Sequence, residues 1–187
     1  TNPLLSEYHD KEWGIPVFDD QKLFEYLILE GMQAGLSWLT ILKKRDGYRR
    51  AFDNFDAQKI ACYDEDKYEQ LLENPAIIRN RLKIKAIISN AKAFLQIQQQ
   101  FPSFSAYLWD FVDNKTLNNN WPDLNAIPSK TPLSDKLSKE LKKRGFKFVG
   151  STICYSFLQA TGMVNDHVQS CFFKSANTLP CHNSVLK

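Results

Sequence analysis

Glu30 closes the apolar run Leu23-Phe24-Glu25-Tyr26-Leu27-Ile28-Leu29 and is followed by Gly31-Met32-Gln33-Ala34-Gly35-Leu36-Ser37-Trp38. A carboxylate and an indole brought together at such a corner suit a planar, positively charged ring. The indole face attracts the cation while the carboxylate orients its N–H groups. Tyr8 and Trp13, on either side of His9, can add aromatic wall. Taken singly, a glutamate at a helix end is ordinarily solvated and a tryptophan ordinarily core, so the reading depends on their convergence.

The second candidate is Leu141-Lys142-Lys143-Arg144-Gly145-Phe146-Lys147-Phe148-Val149-Gly150-Ser151. Glycines at both ends of a short turn permit positive φ and close backbone approach. The helix after it presents free amides from Ser151 onward, and Lys142, Lys143, Arg144 and Lys147 add positive charge. Gly145, Lys147, Gly150 and Ser151 are therefore expected to grip a nucleic-acid phosphate chain without reading sequence. An ordinary helical hairpin with a solvated basic end is the alternative.

His167 and Cys171 are spaced i and i+4, which on a helical turn puts both side chains on one face as a zinc site needs, and His9 is a third candidate ligand. A closed structural zinc site wants four ligands, and no cysteine or histidine precedes His9 in this sequence. Cys181 or His182 could swing in; equally, a surface histidine near an unrelated cysteine needs no metal.

The elements that must position these residues read as helices. Asp20 caps a buried helix ending near Gly31, and Ser37 caps a second one running to Lys43-Lys44-Arg45. Asp56 and Asp64 begin two short helices, and Ile84, Ile87, Ala91, Phe94 and Leu95 mark a long amphipathic one after Arg79-Asn80-Arg81. Ser103 starts another. The polar, proline-containing stretch from Asp113 to Pro132 reads as a surface loop, and helices flank the basic turn from Leu133 to Gly145 and from Ser151 to about Ala160. No strand is expected: the architecture is all-α.

The 187 residues suit one domain, or two small lobes sharing a core, and 43% hydrophobic content excludes a disordered chain. No apolar run reaches the 18 or so residues of a membrane span, and the N-terminal residues lack a secretory pattern, so the cytoplasm is the expected compartment. Net charge is only +3, too mild to indicate nucleic acid by itself. Cys62 and Cys154 lie in apolar helical stretches and read as small core residues. A non-catalytic DNA-binding module, resting on the hairpin alone, and a helical interaction protein are the competing readings.

Tyr8-His9-Asp10-x-Glu12-Trp13-Gly14, Leu29-Glu30-Gly31-x-Gln33-Ala34-Gly35-Leu36-Ser37-Trp38, Leu42-Lys43-Lys44-Arg45, Lys142 to Gly150, Thr152-Ile153-Cys154-Tyr155-Ser156-Phe157 and Gly162-x-Val164-Asn165-Asp166-His167 together resemble the bacterial 3-methyladenine DNA glycosylase I family. The resemblance covers essentially the whole chain. It implies a single all-helical domain of the helix-hairpin-helix glycosylase superfamily. The implied activity is flipping 3-methyladenine from alkylated double-stranded DNA and hydrolysing its N-glycosidic bond. The products would be the free base and an abasic site without strand cleavage, and a monomer is expected.

By the same resemblance Glu30 is the essential pocket carboxylate, Trp38 the base-stacking indole, and Tyr8 a hydrogen-bonding wall. Trp13 is a further base-binding candidate, and Gly35 and Leu36 match the corner that wedges into DNA where the base has left. His9, His167 and Cys171 match three ligands of a structural zinc that ties the termini together. In the family a further zinc cysteine and a stacking tryptophan belong to a segment preceding the equivalent of Thr1. Asp166 stands where many superfamily relatives carry a catalytic aspartate. Glu30 is favoured over it, because a cationic leaving group needs little acid–base help.

Overall fold

The computed structural model describes residues 2–176; Cys181 and His182 lie outside the described residues. Short polar side chains open most of the helices by accepting a first-turn amide. Asn2, Asp19, Ser37 and Asp56 start α1 (Pro3–Lys11), α2 (Asp20–Gln33), α3 (Trp38–Ala51) and α4 (Ala57–Ala61) in this way. Asp64, Asn80, Ser103 and Thr131 do the same for α5 (Glu65–Glu73), α6 (Arg81–Gln100), α7 (Phe104–Trp109) and α8 (Pro132–Lys143). Then follow α9 (Ser151–Ala160) and the single turn α10 (Phe173–Ala176).

α2 is the axis of the fold. Every residue from Leu23 to Met32 is buried, and the helix packs against α3, α6, α7 and α9. No helix among the described residues is long and apolar enough to cross a membrane.

The structure departs from the sequence reading in several places. Periodicity marks no helix before Asp20, yet Pro3 at the first turn and the Asn2 cap start α1, which buries Tyr8. The cap of α2 is Asp19; the Asp20 carboxylate instead accepts the amides of Phe104 and Ser105 at 2.8 Å, opening α7. The polar loop also contains a strand, β1 (Leu117–Asn118), which pairs in parallel with β2 (Val164–Asn165), a ladder too short for alternation to announce. Finally, Cys154 is buried as expected but Cys62 is exposed, at the C-terminal end of α4.

α8 and α9 form the expected hairpin, with Phe146 and Val149 buried beneath it. Gly145 has φ +91°, and Phe148 occupies the left-handed region at φ +55°, which is costly for a bulky residue. Two features hold the turn there. Asn90 of α6 grips Lys147 from both sides, accepting its amide at 2.7 Å and donating to its carbonyl at 3.0 Å. Gly31 of α2 leaves room, since a Cβ there would stand 3.2 Å from the Phe148 carbonyl oxygen.

Asn90→Leu removes both bonds and is expected to destabilise the protein by about 1–3 kcal/mol. Urea unfolding measures this, and an unchanged midpoint contradicts the clamp.

Candidate active site

α1, the turn after it, α2, α3 and α9 surround a cavity of about 160 Å³ lined by Tyr8, Trp13, Glu30, Gln33, Trp38, Ser156 and Gln159. The expected carboxylate and all three expected aromatic residues thus share one hollow. A larger hollow of about 520 Å³ lies between α7 and α8, but its carboxylates, Asp110 and Glu140, are not buried.

Glu30 is 4% exposed, and burial alone pushes its carboxyl up to about 8. The Tyr8 hydroxyl and the Trp38 indole Nε1 are buried and unpaired, and their ring centroids lie 5.3 Å apart at 54°. Burial, and secondarily the nearby Glu30, raises the Tyr8 phenol far above its ordinary value, so it remains a donor. Buried polar groups are normally hydrogen-bonded. Unpaired donors facing a carboxylate in an aromatic hollow are what a site shaped for a polar, planar guest requires.

Tyr8 is held over the cavity by an ion pair. Arg45 of α3 donates through both guanidinium nitrogens to Glu12, at 2.7 and 2.8 Å, and the Tyr26 hydroxyl donates to the same carboxylate at 3.0 Å. This joins the end of α1 to α3 and α2. Partial burial makes the bidentate pair a stiffer fastening than an exposed one.

The DNA-facing candidates lie next to this cavity. α9 presents Ser156 and Gln159 to it, and the same helix begins at Gly150, which supplies no side-chain cap. Ser151 bonds through its hydroxyl to that of Ser134 at 2.8 Å, while Lys147 stays exposed. Arg144 does not belong to the basic tip: it lies over the Phe101 and Tyr107 rings and donates to Gln100. Between the cavity residues Gln33 and Trp38, Gly35 has φ +77° and Leu36 is 38% exposed.

His9, His167 and Cys171 converge with their ligand atoms within 4.8 Å of one another. No helical turn does this: residues 167–171 form a loop and turn. The Nδ1 of His167 bonds Asn165 Oδ1 at 2.9 Å, which makes it the protonated nitrogen and leaves the buried Nε2 unpaired. His9 engages Asp10 through Nδ1 likewise, and its Nε2 lies 3.6 Å from Cys171 Sγ. An orphaned imidazole nitrogen, a second one facing it and a thiol make three of the four donors that a structural zinc takes. Gly14 makes room, because a Cβ there would sit 2.6 Å from His167 Cε1.

Asp166 has no capacity left for a reaction. It is 1% exposed and accepts from Asn119, Trp121 and Gln159, each at 2.7 Å, and from the Tyr155 hydroxyl. Its work is to fasten the polar loop to α9 and β2. Ser156 and Gln159 are cavity residues to which no role attaches from sequence; their signal is i, i+3 polar spacing on the otherwise apolar α9.

The raised Glu30 carboxyl has a consequence for stability. Folded, it titrates near 8; unfolded, near 4.5, so between these values the native chain holds the extra proton and stability falls as pH rises. Glu30→Gln removes the effect and should gain on the wild type by about 1.4 kcal/mol per pH unit between roughly pH 5 and 7.5. Parallel stability curves in urea titrations would contradict the burial of an unpaired carboxylate.

The methyladenine glycosylase family model matches residues 1–174. DNA-3-methyladenine glycosylase 1 of Escherichia coli K12 is 54% identical over 170 residues, spanning 91% of each chain. A crystal structure of a 3-methyladenine DNA glycosylase I superposes with a TM-score of 0.90 at 55% identity, covering 92% of this chain and 94% of that one. A tyrosine-to-phenylalanine variant of 3-methyladenine DNA glycosylase I, solved in complex with 3-methyladenine, gives a TM-score of 0.91 at 37% identity, covering 93% and 94%. The chain belongs to the methyladenine glycosylase family.

Proposed function

We propose that this protein is a DNA glycosylase that extrudes 3-methyladenine from alkylated duplex DNA and hydrolyses its N-glycosidic bond. The observation that carries the reading is Glu30, buried and bonded to no described residue, sharing one aromatic cavity with the unpaired donors of Tyr8 and Trp38, in a chain akin to an enzyme solved with that base bound.

The electrostatics favour a cationic guest. Methylation at N3 gives the base a positive charge. A unit charge about 4 Å from the carboxylate, at an effective dielectric near 20, contributes about 4 kcal/mol, or roughly 3 pKa units. That offsets most of the burial that holds Glu30 up at about 8, so the lesion ionises its own counter-ion. A neutral adenine supplies no such term and meets a protonated, poorly complementary cavity.

Trp38 stacks on the flipped base, Trp13 extends the wall, and the Tyr8 hydroxyl donates to it. The base leaves as a neutral purine when C1′–N9 breaks with its electron pair. Water adds to C1′ and releases a proton, giving an abasic site. No lysine lines the described cavity, which supports hydrolysis without a Schiff base or strand cleavage. Gly145, Lys147, Gly150 and Ser151 hold the phosphate chain, and Gly35 and Leu36 fill the gap in the stack. The enzyme acts as a monomer on double-stranded DNA.

Zinc held by His9, His167 and Cys171 would serve structure. It would join the end of α1 to the segment after β2, behind Trp13, whose ring meets His167 edge-on at 4.7 Å. The purified protein is expected to carry about one zinc per chain, with His167→Ala lowering both metal content and thermal midpoint. Metal-free protein of unchanged midpoint would remove zinc from the account.

Methylated duplex DNA incubated with the protein should release 3-methyladenine, resolved by chromatography. Glu30→Gln should lose at least about 100-fold in excision while duplex affinity stays within about twofold. Absence of released base with the wild type overturns the reading, and a fully active Glu30→Gln favours a binding module.

A further inference from the structure

Lys83, in the first turn of α6, is only 6% exposed, and its ammonium donates to two backbone carbonyls, Met32 and Ala34, each at 2.7 Å. Burying an ammonium costs several kcal/mol, which carbonyl partners offset only in part. Helix ends are usually closed more cheaply, by a glycine in the left-handed region or by exposed basic side chains. Here the left-handed glycine, Gly35, lies beyond the carbonyls that Lys83 binds.

The turn has little else to hold it. Its backbone bonds are a long one from Ala34 to Gly31, at 3.4 Å, and one from Leu36 to Gln33, at 2.6 Å. A Cβ on Gly35 would meet nothing within 4 Å, so no packing fixes that residue from outside. Among the described residues, the Lys83 ammonium is the one side chain that bonds the backbone leading into the Gly35–Leu36 corner.

α6 also holds the other DNA-facing element. Asn90, which clamps Lys147 in the hairpin, stands at i+7 from Lys83. Two helical turns bring the two side chains back to one face. One rigid helix thus carries the anchor of the corner and the anchor of the hairpin.

We propose that Lys83 is a positioning residue for base extrusion, fixing the Gly35–Leu36 corner at a set distance from the hairpin so that wedge and phosphate grip meet the duplex together. The inference rests on the glycosylase reading and adds to it a residue that touches neither base nor phosphate.

Lys83→Met and Lys83→Arg are compared with the wild type in three assays: single-turnover release of 3-methyladenine from methylated poly(dA) annealed to poly(dT), the same from the single strand, and binding of free 3-methyladenine by tryptophan fluorescence. Lys83→Met should slow release from the duplex at least tenfold and from the single strand much less, because an unpaired base needs no wedge. Free-base affinity should stay within about twofold, and Lys83→Arg, which can still reach both carbonyls, should recover most of the loss.

Wild-type release from the duplex by Lys83→Met overturns the proposal. So does equal loss across all three assays, or failure of both variants to fold, since either makes Lys83 a plain stability residue. A wild type that releases no base at all tells against the glycosylase reading instead.

Discussion

The arrangement depends on one unfavourable placement: a carboxylate taken out of water and left without a cation. Glu30 sits on the most deeply buried helix of the fold, and no described residue neutralises it. Desolvation of this kind is tolerated where it serves a site. The hollow then discriminates by charge, because only a guest bearing its own positive charge relieves the penalty. The unpaired hydroxyl of Tyr8 and indole of Trp38 add donors whose hydrogen bonds likewise await a guest.

Holding such a site open requires a stiff surround, and the structure supplies separate fasteners for each wall. The Glu12–Arg45 pair fixes the wall that carries Tyr8, and the four donors around Asp166 fix the wall formed by α9. The convergence of His9, His167 and Cys171 lies behind Trp13. Gly14 matters because His167 approaches too closely there for a Cβ, and Gly31 because a Cβ would press on the Phe148 carbonyl. Polar residues unavailable for chemistry thus keep the reactive ones from collapsing onto each other.

Much of this was legible in the residues. Capping chemistry located Ser37, Asp56, Asp64 and Ser103, because a short oxygen-bearing side chain before an apolar period has few other uses. Glu30 and Trp38 were legible as a pair because the resemblance supplied the convergence that spacing could not. What escaped depends on tertiary contact. α2 continues past Gly31 because Phe148 packs there and Lys83 closes the end. Arg144 leaves the basic tip because two rings and Gln100 attract it. The two-residue ladder of β1 with β2 exists because Asp166 pins the loop, and the metal candidates meet through a loop where i, i+4 spacing suggested a helix.

The central claim is that a buried, partnerless Glu30 waits for a cationic purine, and its side-chain carboxyl can be followed directly by carbon-13 NMR. In the free protein it should titrate near pH 8. Addition of 3,9-dimethyladenine, whose charge is fixed, should lower that midpoint by about 2–3 units. A midpoint near 4.5 in the free protein, or one that the cation leaves in place, would contradict the account.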